Sequence, residues 1–177
     1  MTIAVSLSAI GNMTSDAITD WTDPMQIPQL TPDTAHATLN SDESAIYLDV
    51  RTQAEFDEGH PTGAWNLPIA FQSPDGQMVM NSDFLEVARR VIDQDRFVIC
   101  GCKSGGRSQA AAEYLLSIGY ERVANVAGGF LGGPDPTGLG LTPGWLERDL
   151  PVSHVVEPNL SYAGLLERAG LSENTEQ

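Results

Sequence analysis

The stretch Cys102-Lys103-Ser104-Gly105-Gly106-Arg107-Ser108 gathers a nucleophile, two cations and two adjacent glycines within one turn. The apolar run FVIC (97–100) before it reads as a buried strand, and SQAAAEYLLSIG after it reads as a helix. A glycine-rich turn between such elements directs successive backbone N–H groups inward and forms an anion nest. The helix start, expected at about Arg107 or Ser108, adds the positive end of its dipole. A sulfur at the mouth of that nest is stabilised as the thiolate, the reactive form. Local charge agrees: residues 96–112 contain Arg96, Lys103 and Arg107 and no acid, three of the nine bases of the chain. A small anion is what such a patch attracts. The plainer reading is a buried cysteine at a strand end, and the glycine pair, the cations and the helix start weigh against it.

The flanking sequence supplies elements to hold this turn. Thr31 and Pro32 fit the N-cap and first position of a short helix. The run AIYLDV (45–50) is a second buried-type strand, and Thr52 with Glu55 forms a capping-box pattern directly after it. Gly59, Pro61 and Gly63 end that helix. Asn81 or Ser82 fits the cap of another helix, on which Phe84, Val87, Ala88 and Val91 share one face. Ala111, Tyr114, Leu115 and Ile118 mark the face of the helix after the turn, with Gly119 as its C′ residue. RVANVA (122–127) is a third strand, closed by Gly128 and Gly129. Strands alternating with helices, and apolar nearly throughout, imply an α/β fold whose parallel sheet is covered on both faces. The site then lies beyond the strand C-termini. Residues 130–143, rich in Gly and Pro, read as an irregular loop, and SYAGLLERAG as a short amphipathic stretch near the end.

The bulk numbers narrow the function. A chain of 177 residues fits one domain with tails. The net charge of -15, from 24 acids and 9 bases, argues against nucleic acid and against anionic membrane surfaces. The two cysteines, Cys100 and Cys102, are too few and too close for a disulfide framework, so a reducing, cytoplasmic setting is expected. No apolar run is long enough for a transmembrane helix. The N-terminal MTIAVSLSAIGNMTSDA has no basic start, so a secretory signal is not expected.

Three motifs in order resemble the rhodanese superfamily. The first is Leu48-Asp49-Val50-Arg51 with Glu55-Phe56, Gly59-His60, Gly63-Ala64, Asn66 and Pro68. The second is the CKSGGRS loop. The third is Val126-Ala127-Gly128-Gly129-Phe130 with, after an insertion, Gly144-Trp145 and Leu150-Pro151-Val152. The resemblance covers roughly 27–153, leaving a leader over 1–26 and a tail with a short helix over 154–177. It implies a five-stranded rhodanese-like sheet with helices on both faces. It also implies a single-domain sulfurtransferase in which Cys102 takes the outer sulfur of an anionic donor such as thiosulfate and carries it as a persulfide. Cyanide, a small thiol or a protein sulfur acceptor would receive it. The amides of 103–107, including Ser104, Gly105 and Gly106, would stabilise the charged sulfur, and Lys103 and Arg107 would hold the donor anion. No metal and no organic cofactor is implied. Asp49 and Arg51 would brace the loop and pair with Glu55, and His60 would support the fold.

Two other classes remain open: a rhodanese-like module that binds or relays without catalysis, and a cysteine-based phosphatase or arsenate reductase. The loop places four residues between Cys102 and Arg107, where the phosphatases place five. Gly101 stands where relatives often carry an aromatic residue, which implies a more open sulfur. Cys100 is expected to be a small buried residue rather than a resolving thiol, because a Cys-x-Cys bridge is strained. Trp65, Phe130 and Trp145 are read as core before site mouth, and His36 and His154 as surface residues without partners.

Overall fold

The computed structural model describes residues 26–135 and 138–171. The expected leader, save for Gln26, falls outside them. Along the chain run β1 (Gln29–Leu30), α1 (Pro32–Ser41), β2 (Ala45–Asp49), α2 (Gln53–Asp57), β3 (His60–Pro61), β4 (Trp65–Asn66), β5 (Ala70–Gln72) and β6 (Met78–Met80). Then follow α3 (Phe84–Val91), β7 (Phe97–Gly101), α4 (Gly106–Ser117), β8 (Val123–Val126), β9 (Gly133–Pro134), β10 (Leu141–Thr142), β11 (Val152–Ser153) and α5 (Tyr162–Ala169).

The central sheet has five strands in the order β1-β8-β7-β2-β4, and all four pairings are parallel. Side chains of successive strand residues alternate between the faces. On one face Ile46, Leu48, Val98, Cys100 and Val123 pack against Val87 and Ala88 of α3, Ala111 and Leu115 of α4 and Leu165 of α5. On the other Tyr47, Phe97, Ile99, Ala124 and Val126 pack with Ala35 of α1, Phe56 of α2 and Trp145. Both faces are therefore dry, which is why these strands read as continuous apolar runs. The α/β class, the five-stranded parallel sheet and the two helical layers match the expectation from sequence.

Local signals explain most helix ends. The Thr31 hydroxyl caps α1 by accepting from the Thr34 amide, and Thr52 and Glu55 form both halves of the capping box on α2. The start of α3 departs from the expected cap. Asp83 holds the N-cap position without a side-chain bond, while buried Asn81 accepts from the Asp83 amide and donates to the Pro68 carbonyl. Asn81 thus makes the turn into the helix rather than the cap itself.

The expected tail contributes to the core. The Ser161 hydroxyl caps α5, Gly170 ends it in the left-handed region, and Tyr162, Leu165 and Ala169 are buried against α3 and the sheet. Residues 130–143, expected as irregular, include the short antiparallel pair β9–β10, with Leu139 and Leu141 largely exposed. Among the described residues no helix is long and apolar enough to cross a membrane. Leu165 is fully buried, so Leu165→Ala should cost about 2–4 kcal/mol through lost transfer energy and an unfilled cavity. A fall in the urea midpoint at unchanged slope would read this; an unchanged midpoint would place α5 outside the cooperative core.

Candidate active site

The parallel register sets Asp49, at the end of β2, beside Gly101, at the end of β7. The Val50 amide extends that pairing to the Gly101 carbonyl at 2.9 Å. The chain then turns through Cys102–Gly105 into α4. Gly105 has φ +103°, a region that costs an L side chain about 1–2 kcal/mol and that glycine enters freely. This conformation aims the Gly105 amide at Cys102 Sγ, 3.1 Å away. The sulfur lies at the first turn of α4, and Cys102 is 1% exposed.

The loop is gripped from the segment after β8 as well. The Phe130 amide donates to the Cys102 carbonyl at 2.8 Å, and the Leu131 amide to that of Lys103 at 2.9 Å. Gly129, at φ +59°, allows this approach: a Cβ there would lie 2.5 Å from the Cys102 carbonyl oxygen. Gly129 is therefore a seat for the backbone of Cys102, while Gly128 lets the chain pass close to the carbonyls of Thr142 and Pro143.

Cations and acids are arranged differently from the expectation. Glu55 does not pair with Arg51. It accepts a two-pronged bond from Arg107, at 2.7 Å on each prong. Arg51 is held by the Asp49 carboxylate (2.7 Å at its shortest) and donates to the Gly59 carbonyl at 2.8 Å. Its guanidinium lies 4.3 Å from the Phe130 ring centroid. Asp49 and Arg51 thus form a closed buried unit that fixes the end of β2, and Asn66 donates to the carbonyls of both. The reason is reach: Asp49 is two residues from Arg51 and already satisfies it, leaving Glu55, on the first turn of α2, to face the first turn of α4. Arg107 is consequently paired in place. Lys103 is exposed, is the single lysine of the chain, and has no ion-pair partner among the described residues.

Of the loop amides, among the described residues, Gly105's is the one that bonds the sulfur, where sequence reading expected those of 103–107. The second neighbour is one it missed. Ser108 Oγ lies 3.3 Å from Sγ and is fully buried. A hydroxyl directly after Arg107, in the first turn of a helix whose N-terminus meets the nucleophile, was the available signal. Ser104, Gly105 and Gly106 also wall a cleft of about 660 Å³, shared with Gln29, Gln109 and Asn125.

Other expected roles sort by position. Gly101 does not open the sulfur: a side chain there would project onto the opposite face and overlap the Tyr47 hydroxyl. Cys100 is fully buried on the same face as Cys102, and burial, with Cys102 beside it, pushes its thiol well above the ordinary range. It stays protonated and is not a nucleophile. His60 stacks on Phe56 at 3.7 Å between ring centroids and hydrogen-bonds the Phe56 carbonyl, a structural role. Phe130 and Trp145 are core, and Trp65 lies under Arg168. His36 and His154 do have partners: the Trp145 ring and Asn40 for the first, the Glu58 carbonyl for the second.

The sequence model of the rhodanese-like domain matches residues 31–133, more than half of the chain. Thiosulfate sulfurtransferase 18 of Arabidopsis thaliana is 36% identical over 109 residues, which are 60% of this chain and 71% of that protein. Protein HIGH ARSENIC CONTENT 1, mitochondrial, of the same plant is 43% identical over 84 residues; the match spans 48% of this chain and about half (49%) of that relative. Among solved structures, Rv0390 from M. tuberculosis superposes with a TM-score of 0.56 at 31% identity, covering 72% of this chain and 97% of that one.

The Glu55–Arg107 fork has a pH signature. Burial alone would raise the Glu55 carboxyl, but the Arg107 guanidinium and the Thr52 amide outweigh it and hold the group down to about 2, against an ordinary 4.5. Since the folded value is the lower, the contribution to stability is complete above about 4.5 and is lost as pH falls toward about 2. Denaturation of wild type and Glu55→Gln across that window should therefore show a gap at neutral pH that closes in acid. A gap independent of pH would mean that the ion pair is not its source.

Proposed function

The chain belongs to the rhodanese-like domain family, and on that basis we propose that it is a sulfurtransferase that carries sulfane sulfur on Cys102. The carrying observation is the Gly105 amide 3.1 Å from Cys102 Sγ at the N-terminus of α4, a donor placed where negative sulfur is stabilised. The similarity to Thiosulfate sulfurtransferase 18 supports the same chemistry. The Cys102 thiolate attacks the outer sulfur of thiosulfate. A new S–S bond forms, the donor's S–S bond breaks, and sulfite leaves with the bonding pair. An acceptor thiolate or cyanide then attacks the outer sulfur of the persulfide, and the Cys102 thiolate departs. The two half-reactions predict ping-pong kinetics.

The donor anion meets Lys103. Arg107 is committed to Glu55, so the exposed lysine is the cation free to follow the donor. The acceptor, whether cyanide, small thiol or protein, is read from the family and not from the cleft.

A second reading is favoured by one observation, the similarity to a relative whose name concerns arsenic. Arsenate is a tetrahedral oxyanion, and a cysteine in an amide-lined loop is the group that would attack it. The four-residue spacing between Cys102 and Arg107 fits a single sulfur better.

Incubation with thiosulfate should add the mass of one sulfur atom to wild type, located on Cys102, and nothing to Cys102→Ser, while Cys100→Ala should still load. No adduct, together with Cys102-dependent arsenate turnover, would move the assignment to the second reading. An adduct without turnover to any thiol or cyanide would leave a sulfur-relay module. Lys103→Ala should lower kcat/KM for thiosulfate about fivefold to tenfold, as expected for loss of roughly 1 kcal/mol of charge-assisted contact, and should spare a neutral polysulfide donor. Equal losses with both donors would remove the docking role from this lysine.

A further inference from the structure

Ser108 Oγ lies within hydrogen-bonding reach of three groups: Cys102 Sγ at 3.3 Å, the Gly105 carbonyl at 3.1 Å and Asn125 Oδ1 at 2.6 Å. A hydroxyl has one proton. It cannot serve all three at once, and the neighbours decide which is served. The Gly105 carbonyl already accepts from the Gln109 amide. The sulfur already accepts from the Gly105 amide. Asn125 Oδ1 is buried and, among the described residues, has Ser108 as its donor. Leaving a buried acceptor unpaired is the costliest of the three choices.

This holds only if Asn125 cannot turn its amide over, and the structure fixes its orientation. Asn125 Nδ2 donates to Gln29 Oε1 at 2.8 Å. Gln29 cannot turn either, because its Nε2 donates to the Ile27 carbonyl (3.1 Å), which can only accept, and to Gln109 Oε1 (2.7 Å). Gln109 is fixed in its turn by its Nε2, which donates to the Glu113 carboxylate at 2.9 Å. The sequence of amides therefore has one consistent polarity, ending with an acceptor aimed at Ser108.

We propose that Asn125, latched by Gln29, claims the Ser108 proton and so sets Ser108 as an acceptor for the Cys102 thiol, restraining formation of the thiolate. Ser108 touches the reacting sulfur and is a catalytic residue; Asn125 and Gln29 are positioning residues that act through it. With the latch intact, a thiolate gains the Ser108 proton only by leaving two oxygens 2.6 Å apart with no proton between them. With the latch removed, Asn125 turns, its Nδ2 donates to Ser108 Oγ, and the hydroxyl proton is free to turn to the sulfur. The usual expectation, that deleting a contact near a nucleophile slows it, is reversed here.

The inference rests on Cys102 as the reacting atom and on nothing else in the proposed reaction, so its test needs no sulfur donor. Alkylation of Cys102 by neutral iodoacetamide, followed by mass across a pH series, reads the thiolate directly. Gln29→Ala, at an exposed position, should move the rise in alkylation rate to lower pH by about one unit, the scale of one hydrogen bond to a charged group. In a Ser108→Ala background the same Gln29→Ala change should have no effect, because the hydroxyl that transmits it is gone. Thermal unfolding of each variant confirms that the fold is kept. A Gln29→Ala profile that coincides with wild type or moves to higher pH overturns the proposal. So does a shift that persists without the Ser108 hydroxyl. Either result leaves the persulfide reading to be judged by its own mass measurement.

Discussion

The hydrogen bond from the Gly105 amide to the Cys102 sulfur is what the surrounding elements are arranged to hold. A four-residue turn has too few internal contacts to keep one amide aimed at a sulfur. The needed constraints come from outside it. Strand β7 fixes where the turn begins, through its register with β2, and α4 fixes where it ends. The Phe130 and Leu131 amides hold the carbonyls of Cys102 and Lys103 from the opposite side. The buried Asp49–Arg51 pair stiffens the end of β2. Support and chemistry are thus carried by different residues.

Charge is partitioned in the same way. Three cations were legible near the nucleophile, yet they are not equivalent. Arg107 is spent on tying α4 to α2 through Glu55, an interaction that fixes the helix start from which the turn hangs. Lys103, on the exposed side of the turn, keeps its charge free. Among the described residues Lys103 is the cation of this loop without an ion-pair partner, an arrangement that favours small anions held loosely.

The sheet and its helices were legible because their signals are local. The runs at 45–50, 97–100 and 122–127 became β2, β7 and β8 to within a residue at each end, since strands dry on both faces admit no polar interruption. Thr31, Thr52 with Glu55, and Gly119 announced helix ends by the bonds they make to their own neighbours. What sequence could not give was long-range partnership. Glu55 and Arg107 are 52 residues apart and Asn125 and Gln29 are 96 apart, and no periodicity encodes which acid meets which base. The two-residue strands β1 and β4 carry no pattern of their own and exist because β8 and β2 offer them free edges. Gly101 misled for a related reason: whether a missing side chain opens a site depends on which face it leaves, and that face belongs to Tyr47.

A chain with eight arginines and one lysine has a chemical identity that its fold does not reveal. Guanidinium groups resist acyl transfer at neutral pH, whereas a primary amine accepts it. Lys103 is therefore the one lysine amine open to acylating metabolites, and it stands next to Cys102. Acetylation there would erase a positive charge beside Cys102 without touching a buried side chain. Among lysine side chains, sensitivity to acylation is concentrated at the Nζ of Lys103, with no other lysine to dilute it.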